Sequence, residues 1–157
     1  LDLIAFKKKW GLLGVGPGLI ISTMNPEQIS GGKWCAGFTA VALNTKTKGL
    51  QFGVLAQQFF SFAGPSDRAA RNFMLFQPIF NKVLSKGYFM GVSPIMTFDW
   101  ENDAYIIPIS ISLGKAFAKN LSAFIAPQYV VSGPTKGNFI LQFQINAMFP
   151  PSKKQTN

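Results

Sequence analysis

The chain has 157 residues, of which 48% are apolar and 14% aromatic, including 16 Phe, while 13% are charged and the net charge is +9. That length bounds one domain or a part of one, and a charged fraction about half the globular average leaves too little charge to cover a soluble domain this oily. No run reaches the eighteen or so apolar residues that a transmembrane helix requires, so the apolar residues must be dispersed among shorter elements.

In chain order, residues 1–9 read as a basic N-terminal segment, the truncated or mature start of the chain, ending in Lys7-Lys8-Lys9. Their charge order is the reverse of a secretory signal. Trp10 to Ser22 alternates Gly14, Gly16 and Gly18 with Val15, Pro17, Leu19 and Ile21, and a glycine-rich face predicts close approach inside a barrel, or a bend. The run lacks GxGxxG spacing and no amphipathic helix follows, which excludes a phosphate loop. After the polar loop Thr23 to Gly32 come Lys33 to Asn44, whose facing is unclear, the turn Thr45 to Gly49, and the strand Leu50 to Phe62. There Leu50, Phe52, Val54, Ala56, Phe60 and Phe62 oppose Gln51, Gly53, Gln57 and Ser61, and Gln58 interrupts the oily face near where the strand should leave hydrocarbon.

Ala63 to Arg71 is a charged loop, Asn72 to Lys82 a strand, and Leu84 to Gly87 a turn. Tyr88 to Trp100 sets Tyr88, Met90, Val92, Pro94, Met96, Phe98 and Trp100 against Gly91, Ser93, Thr97 and Asp99. Beyond Glu101 to Asp103, Tyr105, Ile107, Ile109, Ile111 and Leu113 oppose Pro108, Ser110, Ser112 and Gly114. A turn over Lys115 to Asn120 leads to Leu121 to Val131, with Ser122, Ala126 and Gln128 on its polar face, then to the loop Ser132 to Gly137. The final run has the clearest period of two: Phe139, Leu141, Phe143, Ile145, Ala147 and Phe149 on one face, Asn138, Ile140, Gln142, Gln144, Asn146 and Met148 on the other. The polar face carries amides and no charge, which suits a wet lumen better than bulk water, and strands of this length cross a bilayer's hydrocarbon core when tilted.

The expectation is therefore an all-β fold, an antiparallel up-and-down transmembrane β-barrel with about eight strands in residues 10–149, part of a larger barrel, followed by a polar tail over 150–157. Pro78, Pro94, Pro108 and Pro127 cannot donate to a ladder, so each predicts a bulge or a locally broken pair, yet the alternation stays in phase through all four. Numbering connections back from the C-terminus puts short lysine-rich turns at one end. Glu27, Asp67, Glu101 and Asp103 fall in loops at the other end, with Asp99 beside one. Trp10, Trp34, Tyr88, Trp100, Tyr105 and Tyr129 fall at or near strand ends, as in an aromatic belt. Nearly all the Lys and Arg lie in turns and tails, away from strand faces, which argues against nucleic acid. With no His and one Cys, the chain lacks the usual general base and any Cys-rich metal cluster, and we expect no enzyme and no cofactor.

The blocks Trp10-Gly-Leu-Leu-Gly-Val-Gly-Pro17, Gly32-Lys-Trp34, Phe60-Ser-Phe-Ala-Gly-Pro-Ser-Asp-Arg68, Leu75-Phe-Gln-Pro78, Asp99-Trp-Glu101 and Ala147-Met-Phe-Pro150 span nearly all of residues 10–150. In this order they resemble the C-terminal part of the neuromedin-U-like or transporter-like outer-membrane family, near the meta-pathway phenol-degradation outer-membrane proteins. The resemblance implies a bacterial outer-membrane barrel, porin-like or transporter-like, that passes or binds an unidentified small-molecule solute. Its partners would be outer-membrane lipids and the barrel-assembly machinery, with Phe149 as the terminal aromatic that machinery reads. It transfers no catalytic, cofactor or metal residue. Asp67, Arg68, Arg71, Asp99 and Glu101 are expected at the external mouth, and Gln57, Ser93, Thr97, Ser110, Ser112, Gln128, Gln142, Gln144 and Asn146 along the lumen. The alternatives are a soluble lipocalin-like ligand-binding barrel, which should bury its Phe and carry charge outside, and a closed membrane-anchoring barrel without transport.

Overall fold

The structure, a computed structural model, describes residues 3–21, 32–118 and 120–147, with residues 146 and 147 described by backbone alone. These residues form one antiparallel sheet of 11 strands. The strands are β1 (Ile4–Lys7), β2 (Gly11–Ile20), β3 (Trp34–Asn44), β4 (Leu50–Ala63), β5 (Asn72–Val83), β6 (Tyr88–Val92), β7 (Met96–Asp99), β8 (Ala104–Ser110), β9 (Ser112–Ala118), β10 (Leu121–Ser132) and β11 (Phe139–Ala147). Each of the eight runs read from the alternation is present. β6 and β7 both pair with β5, and β8 and β9 both pair with β10, so each couple is one long run interrupted once. The path is then a meander in which each run pairs with the next.

Two boundaries differ from the expectation, and one turn gains structure of its own. Residues 4–7 are a strand, β1, because Ile4 and Phe6 can join one face of β2 while Lys7 lies at the turn. β9 continues to Ala118, through most of the expected turn, because Lys115 and Phe117 extend the same outward alternation as Leu113. The turn after β5 contains a short 3₁₀ segment, Ser85–Gly87, in which Lys86 and Gly87 both take positive φ (57° and 78°) to reverse the chain tightly. The expected end of the last strand, Met148 and Phe149, lies outside the described residues, as does the tail.

The prolines account for the interruptions. In an antiparallel pair, every second rung exchanges both backbone bonds, and the intervening rungs aim theirs at the other neighbour. Trp100 N donates to Asn72 O and Ser61 N to Arg71 O, each at 2.8 Å. Those bonds phase the rungs on both sides of β5. The missing donor of Pro78 then points away from β4 and toward Pro94, which the shared register of β6 and β7 sets directly opposite. Neither proline can donate, so the rung fails from both sides, and the Gln77 amide donates to Ser93 O at 3.1 Å in its place. By the same phasing the missing donor of Pro108 faces Ile95, in the same gap, and that of Pro127 faces Ile111, where β8 gives way to β9. A register shift accompanies Pro108 between Val130 and Ser132. No shift occurs at Pro78, where β4 and β5 stay paired throughout, nor between β2 and β3 at Pro17.

The densest contacts all lie between hydrogen-bonded neighbours, as in a single layer. Even so, one face holds the buried side chains Cys35, Thr39, Phe59, Phe73, Ser110, Ser112, Ala126 and Val130. A single layer buries one face only by curling toward it, and this sheet does so. A Cβ placed on Gly18 of β2 would sit 2.7 Å from the Phe59 ring of β4, across the intervening β3. Gly114 likewise leaves room for the Phe89 ring of the paired strand. We call this the inner face. The outer face carries most of the exposed apolar residues, from Leu19 and Phe38 through Phe60, Ile109 and Leu113 to Phe139, Leu141, Phe143 and Ile145. β3, unclear in the sequence, turns Cys35, Thr39 and Val41 inward and Trp34, Phe38 and Ala40 outward. Among the described residues β1 and β11 each pair with a single neighbour, which leaves two sheet edges.

Candidate functional site

At the end of the sheet bearing the loops 64–71, 100–103 and 133–138, the inner face holds a partly buried ion pair. Arg71 Nη1 lies 3.2 Å from Asp99 Oδ2. β5 and β7 create it: Phe73 pairs with Asp99, and Arg71, two residues earlier on the same face, reaches diagonally across. Asp99 Oδ1 accepts from the backbone N of Glu101 at 3.1 Å and of Asn102 at 3.2 Å, and Oδ2 accepts from the Asn102 amide at 3.0 Å. The carboxylate thus caps the turn that it precedes, as short polar side chains do, and is held before the guanidinium meets it. The guanidinium lies 5.8 Å from the centre of the Phe73 ring, and its buried Nε meets no acceptor among the described residues.

Below the pair is a cavity of ≈ 420 Å³ bounded by Arg71, Asp99, Phe73, Ile95, Thr97 and Ile106 among others. Its chemistry is mixed. One opposed pair of charges stands at the rim, one hydroxyl lies inside, and the remaining wall is apolar. Next to it Phe59 stacks on Phe73 with centroids 5.5 Å apart, packed with Cys35, Ile20 and Leu75. Such an arrangement can order a small polar or amphipathic solute electrostatically. It offers no nucleophile–base pair, and no cluster of metal-ligating side chains occurs among the described residues.

Of the five mouth residues expected from the sequence, the structure brings Arg71 and Asp99 together. Asp67 and Glu101 are exposed. Arg68 donates its backbone N to Pro65 O, and its guanidinium lies against Gly32, where an added Cβ would meet Cζ at 2.8 Å. The side chains expected along a lumen, up to Gln144, lie on the inner face. Gln57 donates to Thr39 Oγ1 at 3.2 Å, Gln128 to Gln142 at 3.0 Å and Gln142 to Gln144 at 3.3 Å. Ser93 lends its carbonyl to Gln77, Thr97 lines the cavity, and Asn146 pairs through its backbone with Ser122. Ser110 and Ser112 differ from an open, wet lining, because the curl covers both almost completely.

Sequence reasoning misses the Phe59–Phe73 stack. Its only signal is parity: Phe59 alternates with Gln57 and Ser61, and so has to point with them. Gln58 is likewise only an irregularity in the sequence. On the outer face its amide donates to Asn72 Oδ1 at 2.8 Å and accepts from Trp100 Nε1 at 3.2 Å, so it satisfies an aromatic collar at the loop end. Phe98 stacks on Trp100 in that collar, and Trp34 meets Phe62 edge-on. Comparison with protein-family models, with curated proteins and with solved structures found no match.

Proposed function

We propose that the chain forms part of the wall of a bacterial outer-membrane β-barrel that passes or binds small molecules, with the Arg71–Asp99 cavity at its external mouth. The observation that carries this reading is the single-layer sheet, oily across its outer face and carrying its amides and hydroxyls on its inner face, among apolar side chains such as Phe59 and Phe73. In water that outer surface would be an aggregation hazard far beyond the few hundred Å² a monomer tolerates; against lipid it is the expected surface. Unbroken strands such as β2, β3, β5 and β10 contain 10, 11, 12 and 12 residues, which suffices for a tilted crossing that takes roughly 9–11 residues. The outward Trp and Tyr side chains cluster toward the strand ends, at headgroup level. Closure requires strands beyond the described eleven or a pairing of the two edges, which fits a larger barrel. Outer-membrane lipids and the barrel-assembly machinery are the partners this reading implies.

A second reading, a closed barrel that anchors without transport, draws on the Phe59–Phe73 stack, which fills part of the inner face. One experiment addresses both. The chain, expressed in a Gram-negative host, should fractionate with outer membranes and show heat-modifiable gel mobility. Liposomes containing it should then swell in solutions of small polar solutes. Heat-modifiable protein without swelling favours the anchor, whereas a monodisperse aqueous monomer contradicts both and restores the soluble carrier.

A further inference from the structure

The two ends of the sheet differ in charge. Among the described residues every Asp and Glu lies at the loop end, while the opposite end is basic: Lys7 to Lys9, Lys46, Lys48, Lys82, Lys86 and Lys115. One of these lysines is held differently from the rest. Lys115 Nζ stands 4.8 Å from the centre of the Tyr88 ring and 5.9 Å from that of Phe117, and donates to Tyr88 Oη at 3.5 Å. Two rings fix the ammonium on the outer face, and no carboxylate neutralises it among the described residues.

Beside it lies an outer-face groove of ≈ 570 Å³. Its origin is a matter of register. Tyr88, Lys115, Ala123 and Ile145 share one row across four runs, and Met90, Leu113, Ile125 and Phe143 the next row inward. Ala123 is the one small residue in these rows, so the surface dips there between larger side chains. The groove wall is almost wholly apolar, and it meets the cation at its rim-side end. An apolar trough leading away from a fixed, uncompensated ammonium complements a molecule with an alkyl chain and an anionic head.

We propose that this groove binds an anionic glycerophospholipid, with an acyl chain lying over Ala123 between Leu113, Ile125 and Phe143 and the phosphate on Lys115 Nζ. The inference rests on the outer face being lipid-facing. Lysines near a membrane surface each strengthen the attraction of anionic lipid by about fivefold; Lys115 adds the neighbouring groove, which makes the effect local instead of diffuse.

The test uses the full chain folded in detergent, with folding judged by heat-modifiable mobility, and native mass spectrometry during titration with dioleoylphosphatidylglycerol or the equivalent phosphatidylcholine. One phosphatidylglycerol should be retained at concentrations where phosphatidylcholine is not. Lys115→Gln should weaken that retention about fivefold. Ala123→Trp, which fills the trough and keeps every charge, should abolish it, and Lys46→Gln with Lys48→Gln should leave it unchanged. Equal retention of the two lipids, or equal loss from the Lys46 and Lys48 changes, overturns the site while leaving a folded barrel intact. A chain that never acquires the heat-modifiable form overturns the site and the membrane reading together.

Discussion

Asp99 accepts three hydrogen bonds from its own turn, whereas Arg71 depends on Asp99 for its one ionic partner among the described residues. Their removal is therefore unequal. Asp99→Ala strands a part-buried guanidinium and uncaps the turn, and should cost about 1–3 kcal/mol. Arg71→Ala leaves the carboxylate with its three donors and should cost less. Glu101→Ala, at an exposed side chain, should fall within about 0.5 kcal/mol of the parent. Urea unfolding of the folded chain in micelles would rank the three, and equal losses would contradict the asymmetry. Loop composition places both members of the pair at one end, but that they touch is illegible in the sequence. Their contact depends on the β5–β7 register, set by pairing between segments far apart along the chain.

The strands themselves are legible because an unbroken period of two survives wherever two unlike environments face them, and the runs with clear alternation keep their expected sides. Four-residue β1 is not, since two outward apolar residues are too few to show a period, and the lysines behind them read as a tail. The prolines are legible as faults, but not in their arrangement. The phasing of the rungs concentrates the missing donors of Pro78, Pro94 and Pro108 on the gap between β6 and β7, so three irregular residues cost one local break. It follows that Pro78→Val or Pro94→Val alone should restore one backbone bond across that rung, and the double change two, each worth about 0.5–1.5 kcal/mol. Amide exchange should show slowed exchange at residue 78 or 94 in the single variants and at both in the double. Rapid exchange at both positions in the double variant would contradict the phasing.

Over the whole molecule, two polarities coexist across the described residues: an oily outer face against an inner face that carries the amides, and basic turns against mixed-charge loops. If the lysine-rich end is periplasmic, a Cys at Thr135 in a Cys35→Ser chain should react with an impermeant maleimide on intact cells, and one at Thr47 should not; the reverse would invert the orientation. The radial polarity is the claim on which the functional reading depends, since the soluble and membrane alternatives place the same residues on opposite sides of a water boundary. It is legible from composition, because a 13% charged fraction leaves the outer face nothing to present to water. The curl that covers Ser110 and Ser112 is not, since curvature comes from contacts across a strand, such as Phe59 on Gly18. The most direct measurement is paramagnetic accessibility of nitroxides placed singly at each position from Phe139 to Ile145 in reconstituted vesicles. Oxygen collisions should dominate at 139, 141, 143 and 145 and a water-soluble nickel chelate at 140, 142 and 144. Chelate access at the odd positions equal to that at the even ones would contradict a lipid-facing outer wall.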